Sequence, residues 1–164
     1  MEPVKYVDRL DEKYRLLEFP TYEWTIHRDA PISPLQKPLN ECCVSILTTS
    51  GASRKQDPGF DPDARNDLRL DAIPANTPSD GFNINHNYYD HRSVVEDINC
   101  QFPIKRLREL AADGTIGQSA PRHCSGFMGR IYKRSAIIAK AEEFAVSLRQ
   151  DKVDLLILVP ACPL

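Results

Sequence analysis

Apolar positions along this chain follow two spacings, one that suits helices and one that suits buried strands. Val7, Leu10, Tyr14 and Leu17 recur among charged residues at helical intervals, which predicts a short amphipathic helix over residues 4–18, laid over a sheet. Cys42 to Thr49 is a continuous run of strand formers that breaks at Ser50-Gly51, and it reads as the first strong strand. Its neighbours Cys42 and Cys43 point in opposite directions, so at least one is a core residue. Leu107 and Leu110 share a helical face after Phe102-Pro103-Ile104, with Asp113-Gly114 as the stop signal. Ile137, Ala141, Phe144, Ala145 and Leu148 define the longest helix, over residues 135–150, whose apolar face should pack on the final strand. That strand is the unbroken run Val153 to Val159, read as buried and parallel.

Between these elements the pattern fades. Residues 19–40 carry Pro20, Pro31, Pro34 and Pro38, which forbid regular ladders and predict an extended arm anchored by Tyr22 and Trp24. Residues 52–97 are rich in Asp, Asn, Pro and Arg and predict a long functional loop insertion, with short strands at Leu68-Arg69-Leu70 with Ile73-Pro74 and at Phe82 to His86. Thr115-Ile116-Gly117 starts a brief strand or turn, and Pro121 to Arg130 reads as a glycine-containing loop. The order strand, helix, helix, strand predicts an α/β fold with an open, mostly parallel sheet of the Rossmann or flavodoxin-like three-layer kind. Residues 1–164 form one domain on this reading, with the helix and arm in 1–40 and the sheet core in 41–164, the final helix and strand being missing.

Charge and cysteine content narrow the function classes. Lys plus Arg is 21 and Asp plus Glu is 23, a net charge of -2, which argues against electrostatic binding to nucleic acid or an anionic membrane. No signal sequence or membrane-length apolar stretch is visible, so a cytoplasmic location is expected. The five cysteines, Cys42, Cys43, Cys100, Cys124 and Cys162, are odd in number and irregular in spacing, and predict reduced thiols. Cys100, just before a helix, is expected to be buried.

The candidate chemistry gathers at the ends of the strands. In open parallel sheets ligands bind beyond the carboxyl ends of the strands, where Cys162 falls directly after the last one. Thr49, Ser50 and Gly51 would line the same crevice if the first and last strands are neighbours. Cys162 needs a lowered pKa to act as a nucleophile, and His123, Arg122 or His91 would supply the nearby cation. The loop from His86 to His91 combines two imidazoles, Tyr89 and Asp90, a set suited to proton transfer or substrate positioning, and equally to turn formation. Its spacing matches no closed zinc pattern, so no metal is expected. Arg122 would hold a substrate carboxylate, and Cys124 would serve as a second redox thiol.

Five stretches carry a resemblance to a known family: Val44 to Gly51, Asn85 to His91, Glu96 to Pro103 with Leu107 to Leu110, Gly114 to Gly117, and Val153-Asp154 leading into Pro160-Ala161-Cys162-Pro163. In this order and spacing the chain resembles the glycine/sarcosine/betaine reductase selenoprotein B family, in its short stand-alone form. The resemblance implies a thiol or selenol nucleophile in a motif of cysteine or selenocysteine, two residues, then cysteine. Cys162 matches the first position, and the second falls just beyond Leu164, where a selenocysteine codon read as stop would end the chain. It further implies attack on the carbon bearing an activated amine in a small substrate. Cleavage of the C–N bond and resolution by a redox partner, thioredoxin-like or a reductase subunit, would follow. The competing expectations are a thiol–disulfide or electrophile-binding protein using Cys162 with Cys124, and an interaction module whose uncovered last strand drives homo-oligomerisation.

Overall fold

The computed structural model describes residues 5–18, 28–29, 33–128, 131 and 133–161. The chain resolves into two compact units, residues 1–34 and 35–164. In the first unit, α1 (Tyr6–Leu16) is the expected amphipathic helix. Val7, Leu10 and Tyr14 are half-buried while Asp8, Arg9, Glu12 and Lys13 are exposed. Leu17 lies past the helix end and is 56% exposed. Tyr22, Trp24 and most of the proline-rich arm lie outside the described residues.

The second unit is built on a mostly parallel sheet. Its centre is β1 (Cys43–Thr48), in which all six residues are buried. On one side β1 runs parallel to β5 (Gln118–Ser119) and β6 (Arg122–Met128), and on the other to β7 (Leu155–Val159). Pro121 separates β5 from β6 because it has no N–H to give a ladder, although Ala120 still donates to the Val44 carbonyl at 2.8 Å. The far edge is β3 (Asp67–Pro74), antiparallel to β6. The long polar segment contributes a separate hairpin, β2 (Ala52–Arg54) with β4 (Phe82–Ile84).

Helices cover both faces. Val44 and Ile46 face a core formed with Val94 of α2 (Arg92–Glu96), with Ile104 and Leu107 of α3 (Ile104–Ala112), and with Ile73, Phe102 and Ile116. Leu47 and Cys124 face the other way, onto Phe144 and Leu148 of α4 (Arg134–Gln150), joined by Leu156 of β7. Full burial of Phe102 and Ile46, both 0% exposed, contributes about 1.5–3 kcal/mol each. Asp154 fastens the start of β7: its carboxylate accepts from the Cys43 amide at 2.7 Å and from Lys37 at 2.8 Å.

Three expectations are corrected here. Pro121 to Met128 is a strand rather than a loop, because His123, Ser125 and Gly126 are polar or small residues filling sheet positions that the hydrophobic pattern does not reveal. Gly126 serves close strand packing rather than a turn, since a Cβ there would lie 2.2 Å from the Arg69 carbonyl oxygen of β3. The final strand is parallel but not buried: β7 pairs only with β1 among the described residues, and Leu158 is 64% exposed.

Candidate functional site

The exits of β1 and β7 are tied together at the carboxyl ends of the sheet. Thr49 donates its amide to the Val159 carbonyl at 3.3 Å, and its hydroxyl accepts from the Ala161 amide at 2.9 Å. Ala161 immediately precedes Cys162, which lies outside the described residues. The condition set by the sequence, that the first and last strands be neighbours, is met.

Local geometry explains the residues after β1. The Thr48 hydroxyl donates to the Gln101 carbonyl at 2.8 Å and accepts from the Ser50 amide at 3.2 Å, which turns the chain out of the strand. Gly51 has φ +74, and a Cβ on it would sit 2.2 Å from the Asn85 carbonyl oxygen and 3.1 Å from the Met128 methyl carbon. Only glycine meets both demands. The Asn85 amide in turn donates to the Gly51 carbonyl at 3.0 Å, which fixes the 86–91 loop over the end of β1.

That loop delivers a ring cluster. Tyr89 donates its hydroxyl to the Ser50 carbonyl at 2.8 Å, and its ring lies 4.7 Å from His86 and 4.6 Å from His91, centroid to centroid. His86 is 2% exposed, and burial, reinforced by His91, lowers its pKa to about 4. Its Nδ1 accepts from the Tyr88 amide at 3.0 Å, so the proton of the neutral ring resides on Nε2. Burial also raises the Tyr89 phenol to about 12. Neutral imidazole and phenol together make a proton-handling surface without net charge.

Among the described residues, the buried hydroxyls of Ser50, Ser53, Ser79 and Ser125, the side-chain oxygens of Asn85 and Gln101, and Nε2 of both His86 and His91 have no hydrogen-bond partner. Such groups cost free energy in a folded chain unless water or another group completes their hydrogen bonds. Ser125, Ser53, Asn85 and Gln101 were not singled out by sequence pattern. The only signal for Ser125 was the polarity of a strand that read as a loop.

The remaining candidates lie elsewhere. Asp90 points to solvent in an ion pair with Arg92, which holds its carboxyl below the usual range. Arg122 pairs with Asp151 at 2.6 Å, at the end of β6 that leads away from the crevice. His123 is fully buried in mid-sheet. Its Nδ1 accepts from the Ile46 amide at 3.3 Å and its Nε2 lies 3.0 Å from the Ser119 hydroxyl, while burial lowers its pKa to about 4. It is therefore neutral at physiological pH and supplies no cation. Cys124 lies under α4, and burial pushes its thiol up to about 11, far from the thiolate that redox exchange needs. Cys100, expected to be buried, is exposed beside Gln101. No group of three or more His, Cys, Asp or Glu among the described residues is arranged to hold a metal ion.

Fold and site together define an α/β protein with buried polar and imidazole groups at the carboxyl ends of parallel strands. Over 127 residues, 77% of the chain, it is 32% identical to the D-proline reductase subunit gamma of Acetoanaerobium sticklandii. That stretch is 51% of the relative, so the chain spans about half the length of the protein it matches. No family model matches the chain. No solved structure matches it. No helix among the described residues is long and apolar enough to cross a membrane.

Proposed function

We propose that this chain is a subunit of a thiol- or selenol-dependent reductase that cleaves a C–N bond in a small amine substrate, with Cys162 as the nucleophile. The observation that carries the reading is the bond from the Ala161 amide to the Thr49 hydroxyl, because it holds the residue before Cys162 beside the Ser50-Gly51 turn. The likeness to a D-proline reductase subunit supports the reaction class.

In this mechanism the Cys162 thiolate attacks the carbon bearing the activated amine. A C–S bond forms, the C–N bond breaks, and the amine leaves with a proton delivered by His91. A thiol of a dithiol redox partner then attacks sulfur, forming S–S and releasing the carbon, which takes a proton. The substrate gains two electrons and the partner dithiol becomes a disulfide once its second thiol frees Cys162. His91 handles the proton, while Thr49, Ser50, Gly51, His86 and Tyr89 shape the binding surface.

Full-length protein from its native host, incubated with D-proline, glycine, sarcosine or betaine in the absence of dithiol, tests this by intact and peptide mass. A substrate-derived adduct on Cys162 that dithiol removes, and that Cys162→Ala lacks, is the expected result. No adduct with any of these amines, or an adduct unchanged in Cys162→Ala, overturns the proposal.

A further inference from the structure

We propose that the free edge of β4 and the groove beside it take up an extended segment of a partner protein in which apolar and basic residues alternate. The site stands apart from Cys162 and the residues of the reductase reading, and neither proposal depends on the other. The ladder between β2 and β4 fixes which backbone groups are free. In an antiparallel pair, hydrogen-bonded and non-bonded residue pairs alternate. The Lys55 amide donates to the Gly81 carbonyl at 2.9 Å, and the Asn85 amide donates to the Gly51 carbonyl at 3.0 Å. Ser53 lies opposite Asn83 midway between these bonds, so the alternation turns the N–H and C=O groups of Phe82 and Ile84 away from β2. β4 has no second strand partner among the described residues. An edge of this kind templates an added strand. α2 does not close over it: a groove of about 490 Å³ remains, lined by β4, by Val94 and Val95 of α2, and by Ile98.

The lining sets the chemistry of the segment. Val94 and Ile98 are 3% and 4% exposed, and the half-buried Phe82 and Ile84 pack with them in one core cluster, while Asn83 is exposed. Residues directly opposite each other on paired strands face the same side. Segment residues opposite Phe82 and Ile84 therefore face the apolar side, and the residue opposite Asn83 faces outward. Val95, 72% exposed, adds apolar surface at the rim. The charged side chains along the groove are Lys55, Asp80, Glu96 and Asp97, all exposed. Three carboxylates against one ammonium leave a net -2. A second copy of this chain would set like charges against each other at this edge, whereas a lysine or arginine of a partner segment meets opposite ones.

The test is nuclear magnetic resonance on the full-length protein, titrated with the peptide acetyl-Lys-Val-Lys-Val-Lys-amide and with its counterpart carrying glutamate in place of lysine. The lysine peptide should bind saturably and slow amide hydrogen exchange at Phe82 and Ile84 at least about tenfold. At low ionic strength it should bind at least about fivefold more tightly than the glutamate peptide, an order that Asp80→Lys combined with Glu96→Lys should reverse. Both replaced side chains are exposed, so this variant should unfold at the temperature of the parent. A lysine peptide with every backbone amide N-methylated cannot form the ladder and should bind at least about tenfold more weakly. No saturable binding, unchanged exchange at Phe82 and Ile84 in the bound state, equal affinity of the N-methylated peptide, or a charge preference that the double variant leaves unaltered overturns the proposal. Protection of the same two amides on raising the protein concentration without peptide also overturns it, because the edge then belongs to a second copy.

Discussion

His86 and His123 are two buried imidazoles with opposite environments and one shared consequence. His123 has both ring nitrogens engaged by the sheet, whereas His86 keeps one donor unpartnered, yet burial lowers both to about 4. Below the ordinary histidine value of 6.5 the unfolded chain takes up protons that the folded chain refuses. The stability these residues contribute is present above that pH and is lost as pH falls toward 4. Chemical denaturation across this range should show uptake of about two extra protons on unfolding, and about one in His86→Gln. A slope unchanged by that substitution would contradict the assignment. Gly51 is the other decisive residue: its positive φ and the 2.2 Å approach of the Asn85 carbonyl predict that Gly51→Ala costs at least about 2 kcal/mol. Urea unfolding measures it, and a loss under about 0.5 kcal/mol would show that the turn relaxes freely.

At the scale of elements, Thr49 joins the exits of β1 and β7 through its backbone amide and its hydroxyl. Thr49→Val removes that acceptor and leaves the Val159 backbone bond, so stability should fall by only about 1 kcal/mol while alkylation of Cys162 changes. An unaltered Cys162 rate in Thr49→Val would separate the bond from the chemistry. β1, α3 and α4 were legible in the sequence because each buries a periodic apolar set against a fixed partner. β6 was not, because His123, Ser125 and Gly126 occupy sheet positions where hydrogen bonding and close backbone approach, rather than apolar burial, decide the residue. The same blindness concealed Ser125 as a buried polar residue. Arg122 and Cys124 looked like crevice residues only because their strand was read as a loop.

Across the whole molecule, the sheet topology brings Thr49 to Gly51, the 86–91 ring cluster and the segment leading to Cys162 to one end, while the buried Cys42, Cys43 and Cys124 lie within the sheet core. β7 presents five apolar residues with no charge among them along an edge, and such edges template pairing. The full chain should associate with rising concentration in sedimentation experiments, and Leu158→Lys should lower that association; a parent chain that stays monomeric would contradict it.

Thiol reactivity tests the central claim most directly, because burial separates Cys42, Cys43 and Cys124 from the exposed Cys100 before any chemistry is assumed. Full-length native protein would be labelled with iodoacetamide across a pH series and read by peptide mass. Cys162 should react fastest with a midpoint below that of Cys100, Cys100 should follow at the rate of an ordinary exposed thiol, and Cys42, Cys43 and Cys124 should remain unlabelled until unfolding. A Cys162 that reacts no faster than Cys100 and shares its pH midpoint would contradict its role as the nucleophile.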